Sequence, residues 1–145
     1  MATKVWAILK HKGHRVVTVA PHHSIRSVAE TFTHNHIGAA PVVDEAGQLR
    51  GIISERDIVR AIPKHGDGVT KLTVEHLMSS KVATCTPDDS LVEIMQLMTD
   101  EHIRHVPVVK DGALCGIVSI RDAVKTRLDE MQFEVEALRR YICQS

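Results

Sequence analysis

Aromatic residues make up only 3% of this 145-residue chain: two Phe, one Tyr and one Trp. That is too few rings for stacking along a run of bases. Net charge is missing as well. Lys plus Arg and Asp plus Glu are 18 each, so the formal charge is zero. A balanced chain has no general attraction to DNA, RNA or anionic lipid. Long apolar runs are absent, and no window approaches the roughly 18 continuous apolar residues of a membrane-spanning helix. The run Val5–Leu9 is too short for a signal-peptide core, and no small-residue cleavage site follows it. Cysteine is scarce. Cys85, Cys115 and Cys143 form no C-x-x-C pair, and an odd number cannot close a full disulfide set. Free thiols fit a reducing cytoplasm. Neither of the glycine-rich phosphate loops, G-x-G-x-x-G or G-x-x-x-x-G-K-[ST], occurs. No G-x-S-x-G elbow surrounds a serine, and no paired acid and base set stands out.

What is present is a 43% hydrophobic share, enough for a packed core. The length suits one compact unit. Ten histidines are also present, and protonating them below about pH 6.5 would make the chain basic.

The chain repeats itself. Thr18-Val19-Ala20-Pro21 is echoed by Thr84-Cys85-Thr86-Pro87, an offset of 84 − 18 = 66. IGAAPVV from Ile37 to Val43 is echoed by IRHVPVV from Ile103 to Val109. GIISERD from Gly51 to Asp57 is echoed by GIVSIRD from Gly116 to Asp122, with one residue lost in the preceding turn. Three blocks in one order at nearly one offset mean two copies of one supersecondary unit. The expected organisation is an N-terminal helix over 1–15, copy one over 16–62, a linker over 63–82, copy two over 83–128, and a helical tail over 129–145.

Each copy reads as β-α-β-β-α. A β-rich segment, Val16–Val19, ends at Pro21. Ser24 is a plausible N-cap. Ile25, Val28, Ala29 and Phe32 then fall on one helical face, as do Leu91, Ile94, Met95 and Met98 after Ser90. Two short strands joined by a glycine turn follow as a hairpin. The fold class is therefore α/β (α+β). The two repeats are expected to pack sheet to sheet about a pseudo-twofold axis, share a core, and leave clefts between them.

Ser54-Glu55-Arg56-Asp57 and Ser119-Ile120-Arg121-Asp122 sit where a strand gives way to a helix. A serine there offers a hydroxyl beside backbone N–H groups at the positive end of the helix dipole, which suits phosphate. The aspartate lies one turn on and can accept from the vicinal hydroxyls of a ribose. The arginine between them can reach a phosphate. The plainer alternative is a helix cap, with Ser as N-cap and Asp in the first turn.

These blocks resemble a tandem CBS-domain module (a Bateman module) of the stand-alone bacterial type. The resemblance rests on the T-x-x-P opening, the I-x-x-x-P-V-V strand and the G-I-aliphatic-S-x-R-D close, and covers about residues 5–128. It implies a module that is no enzyme, with no prosthetic group. It implies binding of adenine-containing effectors (AMP, ADP, ATP, NAD(H) or S-adenosylmethionine) in two clefts between the copies. In such modules the closing motif of one copy is combined with the opening strands of the other. One cleft would then hold Ser54, Arg56 and Asp57 with Thr84, Ile103, Arg104 and His105. The other would hold Ser119, Arg121 and Asp122 with Thr18, Ile37, Gly38, Ala39 and Ala40. Arg104-His105 stands where copy one has Gly38-Ala39. The Asp57 cleft is thus the expected phosphate clamp, and the Asp122 cleft has room for a bulkier ligand such as a dinucleotide.

The pairs His11/His14, His34/His36 and His102/His105 have metal-ligand separations but no recurring acidic or cysteine partner. In the tail, Val124, Leu128, Met131, Val135, Leu138 and Ile142 follow a 4-3-4-3-4 spacing, a heptad-type seam. The stripe either packs on its own domain or pairs two chains, and the resemblance to tandem CBS modules, which commonly dimerise, implies a homodimer. The functional expectation is a cytoplasmic adenine-nucleotide sensor that passes its ligand state to a target protein, without nucleic-acid or membrane partners. The rivals are an interaction scaffold with non-functional clefts and a metal-dependent enzyme built on the histidines.

Overall fold

The computed structural model describes residues 3–13 and 15–144. Copy one holds helix α2 (Ile25–Asn35), strands β1 (Ala39–Val43) and β2 (Leu49–Ser54), and helix α3 (Glu55–His65). Copy two holds α5 (Leu91–Glu101), β3 (His105–Lys110), β4 (Ala113–Ser119) and α6 (Ile120–Gln144). Before copy one lies α1 (Val5–Lys12). Between the copies lie a 3-10 turn (Gly66–Lys71) and the short α4 (Val74–Leu77).

The repeat extends to fine detail. Each hairpin is an antiparallel pair, and each carries one irregularity, between Val42 and Val43 and between Val108 and Val109. Ser24 and Ser90 cap α2 and α5, accepting from the amides of Ser27 and Glu93 at 3.1 and 3.2 Å. Both helices end in a left-handed histidine, His36 (φ 54°) and His102 (φ 53°). The left-handed conformation stops the helix, and the exposed imidazole sits at its negative end.

The opening segments are shorter than the sequence pattern suggests. Val19 makes a single parallel bridge to Val42, and Cys85 a single parallel bridge to Val108. Pro21 and Pro87 lack the amide that would extend the ladder, so pairing stops there.

The buried side chains form two clusters, one per copy, rather than one shared core. The first joins Val19, Ile25, Val28, Phe32, Val42 and Ile53 to Val74 of α4. The second joins Leu91, Ile94, Met98, Val106, Val108 and Val118 to Val5, Ile8 and Leu9 of α1. Each cluster is thus completed by a helix that precedes the other copy. The contacts match. Ile25 donates to the Leu72 carbonyl and Leu91 to the Thr3 carbonyl, both at 2.8 Å. Ser24 bridges Thr73, and Ser90 bridges Lys4. A Cβ at Gly51 would stand 2.6 Å from the Ser79 carbonyl oxygen, and one at Gly116 2.6 Å from the Leu9 side chain. Glycine at these two places lets the borrowed segment lie directly on the strand. The segment expected as a linker is therefore part of the first core, and the N-terminal helix is part of the second.

Cys85 is buried, and burial, with Asp89 and Cys115 adding to it, pushes its thiol up to about 12. It stays protonated and serves as a small core side chain.

Candidate functional site

The strand-to-helix junctions place the repeated Ser and Asp. In copy one the Ser54 hydroxyl accepts from the Asp57 amide at 3.3 Å and donates to Asp57 Oδ2 at 3.0 Å. Asp57 Oδ2 also accepts from the Ser54 amide at 2.8 Å. This is a capping box. In copy two the Ser119 hydroxyl accepts from the Asp122 amide at 3.1 Å, and Asp122 Oδ2 accepts from the Ser119 amide at 2.9 Å. Both junctions are thus helix caps, with each aspartate carboxylate turned back onto the serine amide.

Hairpin register brings a second strand end beside each box. Ala39 pairs with Ser54, and His105 pairs with Ser119. The Glu55 amide donates to the Gly38 carbonyl at 2.9 Å, and the Ile120 amide donates to the Arg104 carbonyl at 2.8 Å.

A cavity of about 510 Å³ opens where the two copies meet at Asp57. That volume lies within the range of small-molecule sites. Copy one contributes Gly38, Ala39, Ile52, Ser54, Glu55, Arg56, Asp57 and Arg60. Copy two contributes Glu101, His102, Ile103, Arg104 and His105, and the segment before it contributes Ser79, Lys81, Val82 and Ala83. Arg56, Arg60, Lys81 and Arg104 face Glu55, Asp57 and Glu101, with two histidines beside them. The lining thus holds four basic side chains against three acidic ones, an excess of one.

Of the residues expected in this cleft, Ser54, Arg56, Asp57, Ile103, Arg104 and His105 come together as the sequence suggests. Thr84 is exposed and stands just beyond the lining, which is made by Val82 and Ala83. Gly38 and Ala39, expected opposite Asp122, line the Asp57 cavity instead. Hairpin pairing explains this, because the start of β1 lies against the end of β2 in the same copy. Arg60 and Lys81 were missed. Arg60 is four residues after Arg56 and so on the same helical face, a signal the sequence did contain.

The Asp122 side is built differently. Lys12 of α1 donates to Asp122 Oδ2 at 2.6 Å and to the Ile117 carbonyl at 2.8 Å. Burial disfavours the Asp122 charge, but the Lys12 ammonium and the Ser119 amide outweigh it and hold the carboxyl below its ordinary value. The cavity of about 390 Å³ beside Asp122 lies between α1 and α6, lined by Thr3, Ala7, Ile8, His11, Lys12, Lys125, Thr126 and Asp129. Of the residues expected here, Ala40 is fully buried in the first core and Ile37 packs against it. Thr18 and Arg121 are exposed, and Ser119 is engaged in the capping box. The carboxylate expected to face a bulkier ligand is instead paired with Lys12.

His105 lies between the two sides. Burial, then the Lys12 charge, lower its proton affinity below the ordinary value, while Asp122 and Glu55 pull against them and Arg104 adds to them. No three His, Cys, Asp or Glu side chains are grouped to hold a metal among the described residues. His14 lies outside those residues. No helix among them is long and apolar enough to cross a membrane.

Comparison with known proteins gives the same repeat. The CBS domain family pattern matches residues 12–64 and 74–129. The mitochondrial CBS domain-containing protein CBSX3 of Arabidopsis thaliana is 37% identical over 123 residues, which is 82% of this chain and 60% of that protein. The chain therefore spans less than two thirds of that relative. The CBS-domain containing protein ATU1752 from Agrobacterium tumefaciens superposes with a TM-score of 0.84 at 41% identity, over 88% of this chain and 95% of that one. The CBS domain pair of protein MJ0100, solved in complex with 5-methylthioadenosine and S-adenosyl-L-methionine, superposes with a TM-score of 0.80 at 30% identity, over 90% and 99%. Each matched segment contains both strands of one structural copy and the helix that precedes them, and the chain belongs to the CBS-domain family, with two CBS domains in tandem.

Proposed function

We propose that this chain is a non-catalytic regulatory module that binds an adenine nucleotide (AMP, ATP or NAD(H)) in the Asp57 cavity. The carrying observation is that one cavity combines a preset Ser54–Asp57 box with four basic side chains at the meeting of the two copies. The box suits ribose hydroxyls, and Arg56, Arg60, Lys81 and Arg104 suit phosphate. The similarity to the MJ0100 pair, whose solved complex holds two adenosine compounds, supports the adenine class. A ligand touching both copies favours one relative placement of them, and a target protein reads that placement. The working unit in this reading is a cytoplasmic homodimer.

Titration calorimetry with AMP, ATP, NADH and S-adenosylmethionine tests this. At least one nucleotide should bind with one site per chain, and Asp57→Asn should weaken it. No heat from any of them at millimolar concentration would overturn the reading and leave an interaction scaffold.

A further inference from the structure

The closing blocks of the two copies, GIISERD and GIVSIRD, differ in charge at one position, where Glu55 of copy one answers Ile120 of copy two. The strand ends beside them differ the other way. Copy one has Gly38-Ala39 where copy two has Arg104-His105. Copy one thus carries its extra charge on the helix, and copy two on the strand. Glu55, Gly38, Arg104 and His105 all line the cavity at Asp57.

Local packing seats Glu55 there. Its amide donates to the Gly38 carbonyl at 2.9 Å. Its carboxylate lies over Gly38, where a Cβ would stand 3.0 Å from Oε1 and 3.2 Å from Cδ. A side chain at position 38 would push the carboxylate away, so the glycine helps to hold it at the cavity. From there the Glu55 charge acts across the copies on His105, pulling against Lys12 and Arg104. Among the described residues Glu55 has no ion-pair partner. The plainer role is an acid at the positive end of α3. Ile120 starts α6 without one, so the helix start does not demand it.

The acidic lining residues differ in what they do. Asp57 is engaged with the Ser54 amide and hydroxyl, and Glu101 is the last residue of α5. Glu55 stands within the box and faces the basic strand end of the other copy. A ligand with its ribose on the box and its phosphate on Arg104 passes this carboxylate. The lining has one positive charge in excess. A phosphomonoester brings about −1.5 to −2 charges at pH 7, which that excess roughly matches. Each further phosphate adds negative charge that Glu55 repels, and more strongly in a partly enclosed site than in water.

We infer that Glu55 is a specificity-determining residue, which makes the Asp57 cavity a site for a nucleoside monophosphate and disfavours the triphosphate. The inference rests on the nucleotide reading and names the ligand class within it.

Titration calorimetry of the full chain with AMP and with ATP, in low-salt buffer free of divalent cations, tests it. The wild type should bind AMP more tightly than ATP. Glu55→Gln keeps the shape and removes the charge, and should raise ATP affinity at least about threefold more than AMP affinity. Glu55→Asp keeps the charge and should keep the preference for AMP. Glu55 is exposed, so both variants should fold, which cooperative thermal unfolding checks. A wild type that prefers ATP, or an AMP-to-ATP ratio unchanged in Glu55→Gln, would overturn the inference and leave the nucleotide reading standing. So would binding of NADH with neither AMP nor ATP. A ratio shifted as far by Glu55→Asp as by Glu55→Gln would show that shape sets it rather than charge, and would overturn the inference too. A chain that titrates with no adenine nucleotide at all would overturn the nucleotide reading, and this inference with it.

Discussion

The two copies share their caps, hairpins and irregularities, yet their Ser-Asp boxes face different surroundings. At Asp57 the borrowed segment is short. α4 ends at Leu77, the Ser79 amide donates to the Ile52 carbonyl at 2.9 Å, and the Ser79 carbonyl accepts from the Ile52 amide at 3.0 Å. The chain then turns away and leaves an open cavity. At Asp122 the borrowed helix runs on to Lys12, whose ammonium takes the carbonyl equivalent to that of Ile52, namely Ile117, and takes the carboxylate as well. One additional turn of helix makes the Asp122 carboxylate half of an ion pair with Lys12. Two equal motifs therefore do not make two equal sites. The length of the segment laid over each one decides.

The largest expected effect breaks the packing half of this comparison. Leu9 is 1% exposed, whereas its counterpart Met78 is only half-buried. Leu9→Ala should cost about 2–5 kcal/mol, and Met78→Ala clearly less, read as urea midpoints at constant slope. Equal losses would mean that the two borrowed helices matter alike.

The next separates the sites. Asp57→Asn should weaken nucleotide binding by about tenfold, near 1.4 kcal/mol, and Asp122→Asn should leave it within about twofold. Calorimetry on both variants checks this, and equal losses would remove the asymmetry.

Lys12→Met sharpens the ion-pair half. The pair is partly exposed, with side chains 33% and 22% accessible, so its loss should cost less than about 1 kcal/mol. The diagnostic change is acid stability. Asp122 is held below its ordinary value, so its contribution is present above about pH 4 and lost as pH falls through the lower folded value. Lys12→Met should flatten the stability profile in that acid range. An unchanged profile below pH 4 would show that Lys12 does not govern Asp122.

The smallest effect concerns His105, which faces Lys12, Arg104, Asp122 and Glu55. Its folded form favours the neutral ring. The unfolded chain therefore binds the proton first as pH drops through about 6.5, and stability falls there. Stability is regained on raising the pH. His105→Gln should remove this contribution to the slope below about pH 6.5, and unfolding curves at several pH values would detect its persistence.

Much of this was legible because it is local. Ser24, Ser90, Ser54 and Ser119 announce helix starts by spacing alone, and the repeat doubles each signal. The grouping of Ser54, Arg56 and Asp57 with Ile103, Arg104 and His105 was legible because these residues lie in two contiguous blocks. The exchange of helices did not emerge. Its signal is slight: Val5-x-x-Ile8-Leu9 answers Val74-x-x-Leu77-Met78 at an offset of 74 − 5 = 69, out of step with the 66 and 65 of the other blocks. Nothing local tells a helix which copy it will lie on. The Lys12–Asp122 pair was invisible for the same reason, since a lysine at a helix end reads as a dipole complement. Gly38 and Ala39 were assigned across the cleft because hairpin register was not applied to the strand ends.

The position of α1 bears on the order in which the chain can fold during synthesis. The first core draws on residues from Val19 to Val74, so it can close while the second copy is still being made. The second core needs Val5, Ile8 and Leu9, the earliest helix, and it needs strand β4. Lys12 and Ile117 are 105 positions apart. α1 must therefore wait, apolar face uncovered, until almost the whole chain has emerged. Such long-range closure is slow. The first core thus closes over a shorter stretch of chain, and the second joins α1 to strand β4, more than a hundred residues on.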